Sequence, residues 1–361
     1  MSKLLGQSFM IGVSGLQLNS EEAKFIKDQN IGGVILFAHN YEAPAQIAEL
    51  INDIQKCRDE HPLFISVDHE GGRVQRFKNG FTHFPALAAY GKLDSPKTTY
   101  EVHQMMGQEL AAVGINLNYS PVCDVWSNPQ NKVIGDRAFS DRTEIVEKHV
   151  SAAIRGLHAS GLMACAKHFP GHGSTKKDSH FDLPYVTHSM EFWENVELSP
   201  FKKAAKSKVD MMMMAHLIVD IFEKDRPCTL STKAYNILRE TLKFDKVVIT
   251  DDFEMSAIKD HFGIERSSVE ALQAGADIII YRSFKAAVEC YEEVLRSYEK
   301  KMIKPSDLQT KYKRISGLKE EKIKQYTPVI ISDLNHKMNV AKHVEYLTRL
   351  QDQLHEDKTK E

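Results

Sequence analysis

The chain alternates short, almost wholly apolar runs with longer stretches in which apolar residues recur every three or four positions. The runs are SFMIGVSG from Ser8, GGVILFA from Gly32, LFISVD ending at Asp68, INLNYSPVCDV from Ile115, LMACAKHF ending at Phe169, MMMMAHLIV from Met211, KVVITDDF from Lys246 and ADIIIYR from Ala276. Between them lie helix candidates such as SEEAKFIKDQN, with Ser20 read as its N-cap and acidic residues in the first turn, and AAVECYEEVLRSYEKK. A strand that is apolar on nearly every position is one covered on both faces, and strands of that kind alternating with helices form a buried parallel sheet. Eight such units predict an α/β fold, a single-domain (β/α)8 TIM barrel. The competitor, an open doubly wound sheet, carries a glycine-rich turn after its first strand, and GVSGLQLNSEE does not fit GxGxxG. Residues 1–333 are read as the barrel and 334–361 as a polar helical tail with a charged, frayed end.

Composition narrows the partners. With 361 residues, 42% hydrophobic and a net charge of -2, the sequence is that of a globular protein with no basic field to attract nucleic acid. The start, MSKLLGQSFMIGVSG, is interrupted by Gly6, Gln7 and Ser8 and lacks the continuous apolar core of a signal peptide. MMMMAHLIV is too short to span a bilayer, so a cytoplasmic protein without a membrane span is expected. Five cysteines, at 57, 123, 165, 228 and 290, are scattered without CxxC spacing and are read as buried or free thiols.

In a TIM barrel the chemistry lies where the strands end at their C-termini. Those ends collect Asp68, Glu70, Arg73 and Arg76 after the third run, and Asp124 in the fourth, with Arg137 following in a long loop. The fifth gives Lys167, His168 and His172, the sixth His216, and the seventh Asp251, Asp252 and Glu254. Taken singly, each has a structural reading: an ion pair at a tight turn, a histidine capping backbone groups, an aspartate capping a helix. Together they make one rim polar while the strand bodies stay apolar, and charges near a barrel core must be paired to be tolerated there. The loop KHFPGHGSTKKDSH holds three histidines, His168, His172 and His180, but their spacing over a proline- and glycine-bearing segment is not a helical HxxxH pair, and no HExxH accompanies it, so no metal is expected. A Ser–His–Asp hydrolase would need a GxSxG elbow, which is missing. Glycoside hydrolysis needs a carboxylate on one face of the anomeric carbon, a proton donor on the other and fixed partners for the sugar hydroxyls, and the rim supplies all three.

DHEGGRVQRF, GDRAFS, KHFPGHG followed by DSH, and TDDFEM, in this order from about Gly6 to about Arg282, resemble the motif series of glycoside hydrolase family 3. The likeness is to the bacterial single-domain β-N-acetylglucosaminidases that recycle peptidoglycan. The resemblance implies that Asp251 is the nucleophile, His180 the acid/base and Asp178 its tuning partner, with Asp68, Arg76, Arg137, Lys167 and His168 binding the sugar. It further implies action on N-acetylglucosamine-containing muropeptides or disaccharides without a cofactor, and a monomer is expected. Larger relatives draw a glutamate acid/base from a second domain, and none is read here. TDDFEM departs from close relatives in carrying Phe253 and Glu254 where a leucine and a serine are usual. A histidine near neutral pKa serves as acid and then as base, an aspartate two residues away can bind its other nitrogen, and Gly171 and Gly173 let the segment move. Two alternatives stay open: another β-glycosidase or a glycosyl phosphorylase on the same scaffold, and a sugar-binding protein without turnover.

Overall fold

Eight parallel strands close on themselves in the computed structural model, which describes residues 2–58, 61–175 and 183–358. They are β1 (Phe9–Gly12), β2 (Gly33–Leu36), β3 (Phe64–Val67), β4 (Leu117–Asn118), β5 (Met163–Phe169), β6 (Met211–Met214), β7 (Val247–Asp252) and β8 (Ile278–Tyr281). Each pairs with its neighbour in sequence, and β8 returns to β1 with Ile11 opposite Tyr281. All eight predicted runs are strands of this (β/α)8 barrel. Inward positions follow the period of two: Met163 and Cys165, Met211 and Met213, Val247 and Ile249, Ile278 and Ile280 pack together inside the barrel. The alternate positions, such as Ala164, Met212, Val248 and Ile279, face the surrounding helices.

Two registers slip near the C-terminal rim. Between Ala166 and Phe169 β5 advances three residues while β6 advances two, from Met212 to Met214; between Ile249 and Asp252 β7 advances three while β8 advances two, from Ile278 to Ile280. One extra residue in each strand re-aims the side chains beside it. Lys167 and His168 sit in the first irregularity and Asp251 in the second.

The first long helix, Ser20–Asp28, corrects the predicted cap. Asn19, not Ser20, is the N-cap: its side chain accepts the Glu22 N–H at 2.9 Å while Glu22 Oε2 accepts the Asn19 N–H at 3.2 Å. The reciprocal box needs an acceptor three residues on, which Glu22 supplies for Asn19 and Ala23 cannot supply for Ser20. AAVECYEEVLRSYE, the body of the second candidate, lies in the helix Phe284–Glu299, capped by Ser283, and its last two lysines follow the helix. The tail is less polar than its composition suggests. Its helices, Leu334–Met338 and Val340–Lys358, turn at Asn339 (φ 57°) and bury Leu334, Met338, Leu347 and Leu350. His343 reaches Glu109, in the helix Pro96–Ala112, at 2.7 Å. All five cysteines are buried free thiols.

The N-terminal end of the barrel is closed by the helix Pro305–Lys322, whose Ile315 and Leu318 join the interior cluster. Lys319 Nζ donates to Gln7 Oε1 and to the Gly32 carbonyl, both at 2.7 Å, and lies 4.8 Å from the centre of the Phe64 ring. No carboxylate among the described residues pairs with it, and burial pulls its pKa down to about 7 from 10.5. Between those two values the unfolded chain holds a proton that the native state lacks, so this group's contribution makes stability rise with pH from 7 to 10.5, and leaves it at its lowest, and flat, below 7. Lys319→Met is therefore expected to gain on the wild type most below pH 7, the gain shrinking by up to about 1.4 kcal/mol per pH unit above it. Urea melts at several pH values check this, and a pH-independent difference would refute the buried ammonium.

Candidate active site

The site is the top layer of the barrel's own interior. Asp68 continues the inward series Phe64 and Ser66, Lys167 continues Met163 and Cys165, and Asp251 continues Val247 and Ile249. With Arg76, Arg137, His168 and His172 they line one cavity of about 200 Å³, floored by Met213.

Lys167 holds the layer together. Only 1% exposed, its ammonium lies 2.7 Å from Asp68 Oδ1 and 2.6 Å from Glu70 Oε1. Burial alone would favour the neutral amine, but the two carboxylates overcome it and raise the pKa. Glu70 also accepts two parallel bonds from Arg137, from Nε at 2.9 Å and Nη2 at 2.8 Å. Burial pushes the Glu70 carboxyl up, yet Arg137 and Lys167 hold it well below the usual range. Asp68 is treated likewise by Lys167 and by Arg76, whose Nη2 is 3.3 Å away.

Arg137 Nη2 also approaches His168 Nε2 at 3.2 Å, and His168 Nδ1 meets Asp124 Oδ2 at 2.7 Å. Asp124 Oδ1 accepts the His172 backbone N–H at 2.7 Å, so one buried carboxylate fixes both the histidine ring and the loop after it. Burial pushes Asp124 up, and the His168 charge and hydrogen bond bring it below the ordinary value. His172 is pushed down to about 4, chiefly by burial, and its Nδ1 meets Thr175 Oγ1 at 3.0 Å. Two of the three histidines weighed as metal ligands thus already have partners.

At the end of β7 and just beyond it, the three acidic residues separate. Asp252 Oδ1 accepts the backbone N–H groups of Glu254 and Arg282, its Oδ2 faces Arg282 Nε at 3.4 Å, and burial lifts it to about 6. Glu254 reaches across to the strand's neighbour, receiving the N–H at 2.6 Å and the hydroxyl at 2.9 Å of Ser283, the cap of the helix Phe284–Glu299. Asp251 accepts the neighbouring Asp252 N–H at 2.8 Å, forms no ion pair among the described residues and lines the cavity. Phe253 is fully buried against His216 and Tyr281, so this departure from the motif fills core and not pocket. His216 lies between Thr229 Oγ1 at 2.7 Å and the Asp252 carbonyl at 3.0 Å, with its pKa lowered chiefly by burial.

Asp68, Arg76, Arg137, Lys167, His168 and Asp251 are therefore brought together. His180 and Asp178 lie outside the described residues. Arg73 points away, pairing with Asp136 and the carbonyls of Lys132, Val133 and Ile134. Glu70 and Asp124 belong to the network although the candidate site from sequence omitted them. Both stand in the rim read from the sequence; what the sequence does not show is what they hold, Lys167 and Arg137 for Glu70 and His168 for Asp124.

The sequence profile of the Glycosyl hydrolase family 3 N terminal domain matches residues 2–318. A protein named Beta-hexosaminidase from Alkalilimnicola ehrlichii is 36% identical over 294 residues, 79% of this chain and 83% of that protein. Among solved structures, a glycoside hydrolase family 3 β-N-acetylglucosaminidase from Paenibacillus sp. str. FPU-7 superposes with a TM-score of 0.90 at 34% identity, over 95% of this chain and 68% of that one. A fungal multi-domain β-N-acetylglucosaminidase of the same family gives 0.92 at 29% identity, over 98% of this chain and 43% of its own much longer one.

Removing one partner of a buried pair strands the other. Arg137→Ala leaves Glu70, 1% exposed, sharing Lys167 with Asp68, and is expected to cost about 3–5 kcal/mol of stability. Glu70→Gln/Arg137→Met, which removes both charges, should cost markedly less. Denaturant melts of the two variants measure this, and equal losses would mean that the ion pair is not what holds the loop.

Proposed function

The chain belongs to glycoside hydrolase family 3, and from that premise we propose that it is a retaining exo-β-N-acetylglucosaminidase. In this reading it removes terminal, non-reducing, β-linked N-acetylglucosamine from peptidoglycan-derived muropeptides or the corresponding disaccharide. One observation carries the reading: Asp251, which has no ion-pair partner among the described residues, shares a small cavity with a fixed set of sugar-sized donors and acceptors, Asp68, Arg76, Arg137, Lys167 and His168. The cavity, at about 200 Å³, is below the roughly 300–1,000 Å³ of sites for drug-sized ligands. That size suits a single sugar ring and hence release from a chain end.

Asp251 attacks the anomeric carbon from within the barrel mouth while His180 protonates the departing oxygen. The neutral imidazole then takes a proton from water, which displaces Asp251, and two inversions retain the configuration. Asp178 binds the other ring nitrogen and steadies the imidazolium. Because Glu70 occupies two of Arg137's donor groups, Arg137 presents a narrow face to the sugar and acts as much by orienting Glu70 and His168 as by direct contact. The charges that develop are met by carboxylate and imidazole, so the chemistry calls for neither metal nor organic cofactor. The proposed enzyme works as a monomer in the cytoplasm; among the described residues no helix is long and apolar enough to cross a membrane. Residues 1–333 carry the chemistry, and the tail that begins at residue 334 braces the body through His343 and Glu109.

A 5-fluoro N-acetylglucosaminyl fluoride is expected to leave a covalent label on Asp251, found by mass spectrometry of the digest. A label on Asp252 or Glu254 would overturn the assignment. His180→Ala should slow the natural disaccharide by about 10²–10⁴-fold. With a dinitrophenyl glycoside it should give a burst followed by a stall, and azide should restore turnover with a β-configured glycosyl azide as product. Equal losses on both substrates, with no azide product, would remove His180 from proton transfer.

A further inference from the structure

Behind the cavity lies a second carboxyl that the proposed chemistry leaves unused. Glu197 stands in the helical turn Trp193–Glu197, just before the helix Leu198–Lys206, and is 1% exposed. Its Oε1 accepts the Ser127 hydroxyl at 3.5 Å and lies 4.0 Å from His188 Nε2. Its Oε2 is buried, has no hydrogen-bond partner among the described residues and packs on Gly171, where an added Cβ would come within 2.4 Å of it. Gly171 has φ +118°, which also favours glycine. Ser174 Oγ and His188 Nε2, one on each side of the segment that contains His180, meet at 2.6 Å. The carboxyl therefore touches the loop after β4, the loop after β5 and the chain beyond residue 187.

We propose that Glu197 is a positioning residue, a neutral carboxylic acid that seats the two stems, at Gly171–Ser174 and at His188, of the segment carrying His180. The inference rests on the acid/base role given to His180 above. The groups facing the acid explain why it must be neutral. Asp124, from after β4, is an anion already engaged with His168 and the His172 N–H. The loop after β5 offers Gly171, the Ser174 hydroxyl and His172, which is neutral above about pH 4. His188 is the nearest basic group, and no lysine or arginine among the described residues pairs with Glu197. Burial first and the Asp124 charge second push the acid up to about 8, and the Ser174 and Ser127 hydroxyls only partly offset them. Ionisation would set a second desolvated anion beside Asp124 and push the stems apart. Turnover should fall on the alkaline side as this happens.

The native state keeps a proton on Glu197 that the unfolded chain releases near 4.5, so this group's contribution to stability falls as pH rises from 4.5 to about 8. Glu197→Gln mimics the neutral acid. Its melting temperature should match the wild type near pH 5 and exceed it at pH 8.5, and the alkaline limb of its kcat on an aryl N-acetylglucosaminide should lie about one pH unit or more higher. Glu197→Ala, which empties the seat, should lose on the order of tenfold in kcat across the whole profile. Superimposable alkaline limbs, a Gln variant less stable than the wild type at pH 8.5, or a Gln variant that fails to fold would each overturn the proposal, the last two by showing that the acid works as an anion beside His188. His180→Ala measured in parallel separates the two inferences, because the Glu197→Gln melts do not depend on which group moves the proton.

Discussion

A lysine ammonium removed from water must find negative charge, and the upper half of this protein is arranged around that requirement. Lys167 draws Asp68 and Glu70 to within 2.7 and 2.6 Å; Glu70 takes Arg137, and Arg137 reaches His168, which Asp124 holds from behind. Such pairs contribute little net stability over well-packed apolar residues, because desolvation cancels much of the attraction. What they give is position. Each charge is tolerated only where its partners are, so the cavity wall is set before a sugar arrives and needs little rearrangement to receive it.

The comparison with Lys319 isolates the cause. Both lysines are fully enclosed by the same barrel, one at each end. Lys319 has an amide oxygen, a carbonyl and a ring face as neighbours, and its pKa falls to about 7; Lys167 has two carboxylates, and its pKa rises. Burial is common to both, so the difference lies in the counter-charge. The end that carries carboxylates is the end where the strands slip register and the pocket opens.

Much of this was legible in the sequence because the barrel repeats one physical rule. Strands covered on both faces are apolar throughout, and the eight runs could be counted directly. The period of two then extends those runs to Asp68, Lys167 and Asp251, which explains why these residues meet. The illegible parts are those fixed by contacts between distant segments. Nothing near Asp124 says that it will hold a histidine 44 residues later, and nothing near Arg73 says that it will turn outward while Arg76 turns in. Nothing near Glu197 marks it as buried, since its burial depends on Gly171 and Ser127, far away in the chain. The tail looked polar because its few buried residues are spread among many exposed ones, and only packing against the helix Pro96–Ala112 reveals which they are.

That tail has a consequence for how the molecule is made. Glu109 binds the Thr82 hydroxyl and N–H on one side and His343 on the other, and Thr82 in turn receives the Gln75 side chain beside Arg76. Glu109 and His343 are 234 residues apart. At about 5–20 residues per second on a ribosome, this carboxylate waits roughly 10–50 s for its last partner to be synthesised. The segment holding Arg76 is thus among the earliest parts of the barrel to be made and among the last to receive its full support.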